Sequence, residues 1–236
     1  MKFPINEYQL KPGLYIIPTP IGNFMDISIR ALYLLENMDY IACEDTRTTG
    51  KLIQHFELSK KKLFSYHDHN EDEKSDFILE LIKKGNKIGL VSEAGTPLVS
   101  DPGFKIVRKV IESKLYLEVL PGATAFIPAL ILSGFPSHSF TFLGFPPNKK
   151  NRQKFLQKVA ESESTVIIYE SPYKINKLIQ ELNIILEKDR QISISREITK
   201  VYEETIRGSI GQIAEHFASR TSLKGEFVVV IEGKKC

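Results

Sequence analysis

The run Gly89–Gly103, GLVSEAGTPLVSDPG, crowds conformationally special and polar residues into what reads as the end of a strand. Gly95, Pro97, Pro102 and Gly103 set a rigid backbone path. Ser92, Glu93, Thr96, Ser100 and Asp101 add hydroxyls and carboxylates around Ala94. A rigid loop rich in polar groups suits a small polar ligand. Two more loops follow apolar runs, the position where open α/β sheets bind ligands. In Pro18-Thr19-Pro20-Ile21-Gly22-Asn23 the prolines stiffen the chain and Gly22 permits a turn or a close backbone approach. Asp26, just beyond, reads as the N-cap of the next helix. In Leu120-Pro121-Gly122-Ala123-Thr124-Ala125, Gly122 opens the backbone to a ligand and Thr124 offers a hydroxyl at a helix start. Neither G-x-G-x-x-G nor the lysine of a P-loop is present, which argues against NAD or ATP as the ligand.

In order along the chain, PTPIGNFMDISIRAL, EDTRTTGKL, YHDHNE, SEAGTPLVSDPG, PGATA, YESPYKI, REITKVYEE and KGEFVVVIEG resemble the tetrapyrrole-methylase family. The resemblance runs from Leu14 to Gly233. Within the family it is closest to the bacterial branch that methylates a cytidine ribose 2′-hydroxyl in small-subunit (16S) ribosomal RNA. It implies a class III methyltransferase fold of two α/β domains, with S-adenosylmethionine in the cleft between them, in a homodimer. Carried over position by position, it assigns the cofactor to Pro20, Gly22, Ser92, Glu93, Ala94, Gly95, Thr96, Pro97, Ser100, Asp101, Pro121, Gly122, Ala123 and Thr124. One departure stands out. The family carries Asp where this chain has Glu93, which keeps the charge and lengthens the reach by a methylene.

Methyl transfer from a sulfonium is an in-line displacement, so the protein's work is alignment in a site that excludes water. A ribose hydroxyl is a poor acid and calls for a general base. Asp45 and Glu170 are the candidates. Asp45, with Arg47, lies in Glu44-Asp45-Thr46-Arg47, a segment that reads equally well as an N-capped helix with a surface ion pair. Glu170 opens the helix after Glu170-Ser171-Pro172-Tyr173, where an acid also favours the helix N-terminus. His67, His69 and Asn70, in His67-Asp68-His69-Asn70-Glu71, make a polar loop suited to RNA, since imidazoles stack and hydrogen-bond. No third ligand near them suggests a metal. Lys149, Lys150, Arg152 and Lys154 lie in a basic run with no acid, Asn148–Lys158, which fits either a solvated helix face or a phosphate-binding stretch. Arg196 and Lys200 extend the expected RNA surface. Two alternatives remain open: a methyltransferase of the same fold acting on a tetrapyrrole or another small molecule, and a non-catalytic RNA-binding factor of ribosome assembly.

The elements that must position these residues are those of an α/β protein, short β-rich runs alternating with amphipathic helices. Strands are expected at Leu14–Pro18, Tyr40–Cys43, Leu63–Tyr66, Lys87–Ser92 and Leu117–Leu120, in a mostly parallel sheet. Helices are expected at Ile27–Glu36, Thr46–Phe56, Asp72–Lys84 and Phe104–Glu112. After the boundary near Leu120–Thr124, helices are expected at Ala123–Leu132, Asn151–Glu161, Tyr173–Leu186 and Ile210–Phe217. The second half's strands, Ser139–Leu143, Thr165–Tyr169, Gln191–Arg196, Val201–Ile206 and Phe227–Glu232, should form a mixed sheet. The expected domains are therefore 1–120 and 121–236.

The chain's 236 residues, 42% hydrophobic and 26% charged, provide for a packed core. A net charge of +3 permits a nucleic-acid partner without demanding one. Cys43 and Cys236 stand far apart without metal-ligand spacing. No apolar run approaches the roughly 18 residues of a membrane span, and the N-terminus lacks a signal pattern. A cytoplasmic protein without metal or membrane attachment is expected.

Overall fold

The computed structural model describes residues 9–220 and 223–234. Cys236 and the residues before Gln9 lie outside them, whereas Cys43 is a buried free thiol. The chain divides into two compact units, Met1–Thr124 and Ala125–Cys236.

The first unit alternates strand and helix: β1 (Gly13–Ile16), α1 (Ile29–Asn37), β2 (Tyr40–Cys43), α2 (Thr46–His55), β3 (Lys62–Ser65), α3 (Glu71–Lys83), β4 (Lys87–Val91), α4 (Phe104–Glu112) and β5 (Tyr116–Val119). Its sheet has the order β3-β2-β4-β1-β5, and every pairing is parallel. Strands covered on both faces have no polar side, which is why β1 and β4 read as continuous apolar runs. Ala31, Leu34 and Leu35 of α1 and Leu52 and Ile53 of α2 pack with Tyr15, Ile17, Ile41 and Cys43. Ile78, Leu81 and Ile82 of α3 and Ile106 and Val110 of α4 pack with Leu14, Ile16, Ala42 and Leu90. Right-handed crossovers require this division, since connections running in opposite directions along the sheet put their helices on opposite faces. From β2 the chain moves outward to β3, while from β4 it crosses β1 to reach β5. The carboxyl ends of neighbouring β2 and β4 therefore flank a topological switch point, where such sheets open a crevice.

The second unit comprises α5 (Phe126–Ser133), β6 (Phe140–Phe142), α6 (Arg152–Glu161), β7 (Thr165–Glu170), α7 (Ile175–Ile185), β8 (Gln191–Arg196), β9 (Glu204–Ser209), α8 (Ile210–Ala218) and β10 (Phe227–Ile231). Its sheet, ordered β6-β7-β10-β8-β9, is mixed: β6 and β7 are parallel and the other pairs antiparallel. Helices α6, α7 and α8 share a core with Val166, Ile168, Ile194, Phe227 and Val229. The uniformly apolar α5 lies against the other side, where Phe126 stacks on Phe142 at 4.7 Å. Ser209 and Gln212 close a reciprocal capping box at the start of α8.

Three expected boundaries move for local reasons. Asp26 does not cap the first helix. It falls in a 3-10 turn, Phe24–Asp26, and the Ser28 hydroxyl accepts from the Ala31 amide at 3.0 Å instead. The helix expected from Ala123 begins at Phe126, because the Ala123 carbonyl is held in the loop by the Thr96 hydroxyl at 2.9 Å. The strand expected at Val201–Ile206 is Glu204–Ser209. Residues 197–203 form a turn instead, with Glu197 and Thr199 at positive φ and the Lys200 amide donating to the Glu197 carbonyl.

Candidate functional site

In the first unit the chain ties three loops together at the carboxyl ends of its strands. Thr19 and Gly95 exchange backbone hydrogen bonds of 2.8 and 3.0 Å, joining the loop after β1 to the loop after β4. Thr96 Oγ1 donates to Ala123, joining the loop after β4 to the loop after β5. Gly122 closes the triangle, since a Cβ there would fall 2.1 Å from Pro18 Cβ. Gly95 is equally required by the chain. Its φ is +84°, and a Cβ would meet Ile21 at 3.1 Å and the Ala123 carbonyl at 3.2 Å. All the residues expected to hold a cofactor lie on these three loops: Pro20 and Gly22 after β1, Ser92 to Pro97 with Ser100 and Asp101 after β4, and Pro121 to Thr124 after β5. Thr19, which sequence reasoning passed over, is 5% exposed, and its hydroxyl has no partner. A buried unpaired hydroxyl is costly until a ligand group or a water completes it.

Beside this cradle the strand ends gather negative charge. Glu44 follows β2, Asp68 follows β3, and Glu93 and Asp101 follow β4; Glu44 and Asp101 each lie within electrostatic reach of both Glu93 and Asp68. Burial, then the Glu44, Glu93 and Asp68 carboxylates, push Asp101 up to about 6, while the Ser92 hydroxyl pulls the other way. Glu44 is raised by burial and by Glu93 and Asp68, and His67 opposes the rise. Glu93 is an exposed member of this cluster.

The expected RNA loop belongs to the same place. Asn70 Oδ1 accepts from the His67 amide at 2.9 Å, its Nδ2 lies 3.3 Å from His67 Nε2, and the His67 and His69 rings are 6.0 Å apart. His67 lies within electrostatic reach of Glu44. Among the described residues, no three His, Cys, Asp or Glu side chains form a group able to hold a metal ion.

The two candidate bases belong to different units. Asp45 is the N-cap of α2, accepting from the Arg47 amide at 2.7 Å and from its guanidinium at 3.0 Å. The Arg47 hydrogen bonds hold its pKa below the usual carboxylate range, which weakens it as a base. Arg47 is in turn engaged by Asp45. In the second unit Glu170 is 3% exposed, and its Oε1 accepts from the Ser171 amide at 2.7 Å. It alternates with Val166 and Ile168, so it points to the helix-covered face of its sheet.

The basic run also divides. Lys149, Lys150 and Lys154 are exposed, and Lys149 and Lys154 line an open groove of about 460 Å³ with Asn148, Lys177, Arg152 and Glu181. Arg152 is instead 7% exposed, and Glu181 clamps its guanidinium at 2.6 to 3.0 Å. It bolts α6 to α7 with its charge met by Glu181. Its acidic partner lies on a different helix, beyond what the run itself displays. Arg196 lies 3.6 Å from Glu204, and Lys200 bonds Glu197 at 2.8 Å and Glu226 at 2.9 Å. Glu204 and Glu226 lie outside the 197–203 turn, and Glu204 is shared with the Arg220 guanidinium at 2.7 and 2.8 Å.

The pattern that describes the Tetrapyrrole (Corrin/Porphyrin) Methylases matches residues 13–214. A Hydrogenobaculum protein named Ribosomal RNA small subunit methyltransferase I is 44% identical over 219 residues, covering 92% of this chain and 94% of its own. The protein of that name from Haemophilus influenzae is 44% identical over 223 residues, covering 94% of this chain and 78% of its own. Among solved structures, a cobalt precorrin-4 methyltransferase superposes with a TM-score of 0.69 at 15% identity, covering 93% of this chain and 94% of that one. A Thermus thermophilus uroporphyrin-III C-methyltransferase complexed with S-adenosylhomocysteine superposes with a TM-score of 0.63 at 15% identity, covering 92% of this chain and 96% of that one.

Proposed function

The chain belongs to the Tetrapyrrole (Corrin/Porphyrin) Methylases, and from that premise we propose that it transfers the methyl group of S-adenosylmethionine to RNA of the small ribosomal subunit. The observation that carries this reading is the 44% identity with the Hydrogenobaculum methyltransferase, spanning nearly the whole of both chains. The acceptor is a ribose 2′-hydroxyl of a cytidine in 16S RNA, and the enzyme works as a cytoplasmic homodimer. Both finer statements follow from the resemblance of the motifs.

The residues present fit the donor. Sulfonium and ammonium are cations, and Glu44, Asp68, Glu93 and Asp101 give the crevice a negative field. The unpartnered Thr19 hydroxyl and the rigid backbone of the three joined loops add hydrogen-bonding groups that need no reorganisation. Bound there, S-adenosylmethionine supplies an electrophilic methyl carbon on a positively charged sulfur. Asp101, titrating near 6, is suited to accept the proton of the acceptor hydroxyl at neutral pH, whereas the Arg47-held Asp45 is not. The exposed Lys149, Lys150 and Lys154 meet RNA phosphates.

The solved neighbours are named for tetrapyrrole acceptors, but at 15% identity they speak for the fold alone. Labelled methyl from S-adenosylmethionine, offered to purified small subunits and separately to uroporphyrinogen III, tests the assignment. Label should enter the RNA. Label in the macrocycle, or in neither, would refute it. Light scattering in solution tests the dimer.

A further inference from the structure

The segment from Ser92 to Gly103 follows a backbone path that its own residues resist. Gly95 and Gly103 accept positive φ readily, but Leu98 at 71° and Ser100 at 69° do not. Non-glycine residues stay in that region only where their surroundings over-determine them. One anchor lies near the start of the loop, where Thr19 pairs with Gly95 and Thr96 bonds Ala123. The other comes from Glu71, the first residue of α3, a side chain outside the loop and outside the cofactor set. Glu71 is 8% exposed, and its Oε1 accepts from the Gly103 amide at 3.0 Å, the Lys105 amide at 3.2 Å and the Tyr66 hydroxyl at 3.0 Å. The Lys105 ammonium lies 3.8 Å from Oε2. Gly103 is the N-cap of α4 and has no side chain to cap with, so Glu71 supplies the missing acceptor with a full negative charge at the helix N-terminus.

We propose that Glu71 is a positioning residue for methyl-donor binding, holding the far end of the strained loop so that Ser100 and Asp101 face the site. It acts through the Gly103 and Lys105 amides and touches neither donor nor acceptor. The inference rests on the reading of the loop as the S-adenosylmethionine site. It locates the control of donor affinity at a hydrogen bond between the start of α3 and the end of the β4 loop. Losing that bond raises the KM for the donor and leaves kcat at saturating donor unaltered, because the groups that act on the methyl and the proton are intact once the loop is closed.

Two conservative variants separate the hydrogen bond from the charge, and the full chain is titrated with S-adenosylhomocysteine. Glu71→Asp keeps the charge but withdraws the oxygen by a methylene, whereas Glu71→Gln keeps an acceptor oxygen in place without the charge. Binding should weaken about tenfold in Glu71→Asp and stay within about threefold of the parent in Glu71→Gln, the scale of one charge-assisted hydrogen bond. Glu71→Asp binding as tightly as the parent, or Glu71→Gln losing as much as Glu71→Asp, would overturn the proposal. A parent protein that binds no S-adenosylhomocysteine overturns the methyltransferase reading and this inference together. A parent that binds and transfers methyl beside an unimpaired Glu71→Asp overturns only the role of Glu71.

Discussion

Asp101→Asn offers a quantitative test of the crowded carboxylates at the switch point. In the folded protein the Asp101 carboxyl titrates near 6, raised first by burial and then by Glu44. An unfolded chain returns it to the usual value of about 3.9. Two units correspond to roughly 3 kcal/mol of penalty on the charged form. Because the crevice admits water, solvent screening reduces the expected effect to about 1–2 kcal/mol. Between the two values the folded state binds more protons than the unfolded one, so this residue's contribution to stability falls as pH rises from about 4 to about 6. Above that window the penalty is full, and below it the penalty is absent. An amide carries no charge at any pH. Relative to the parent, Asp101→Asn should therefore gain about 1–2 kcal/mol of stability at pH 8 over its value at pH 4. Urea unfolding at low salt across that range measures it. A stability difference that does not change with pH, or one that moves against the variant as pH rises, would refute the electrostatic account. With Asp101 in its proposed role of proton acceptor, methyl transfer should be abolished in the same variant at every pH.

Gly122→Ala should cost about 2 kcal/mol or more, because the added Cβ falls 2.1 Å from Pro18 Cβ and prises apart the loops after β1 and β5. Thermal unfolding together with S-adenosylhomocysteine titration would show both losses. Replacing Lys149 and Lys154 together by Gln should weaken RNA binding and reduce the slope of log affinity against log salt by about 1.4, at roughly 0.7 per neutralised phosphate contact on single strands. Donor affinity should not change. Arg152→Ala should lower stability by about 2 kcal/mol, since it removes the hydrogen bonds to Glu181 and to the Pro147 carbonyl and leaves Glu181 with Lys177 at 3.9 Å. The salt slope of RNA binding should stay as it was, and a change in that slope would place Arg152 on the RNA surface.

Much of the fold was legible in the sequence because its causes are local. The limits of β2, α4 and β8 coincide with those read from apolar runs and helical spacing, and Ser209 caps α8 as its sequence position suggests. Boundaries slipped where a neighbouring side chain decided the outcome, as when the Thr96 hydroxyl held Ala123 out of α5. The Gly/Pro loops were legible as a ligand cradle, because rigid backbone and polar content are written in the chain itself. Which groups meet there was not. Glu44, Asp68 and Asp101 converge because β3, β2 and β4 are neighbours in the sheet, an order that no local pattern encodes. The same order brings Glu71 to the Gly103 amide, and the packing of α6 on α7 pairs Arg152 of the basic run with Glu181. By itself the sequence determined the family, the element types and the loops proposed to bind the donor. Only the tertiary structure decided which charges share a field, since a pKa or an ion pair depends on neighbours in space that lie far apart along the chain.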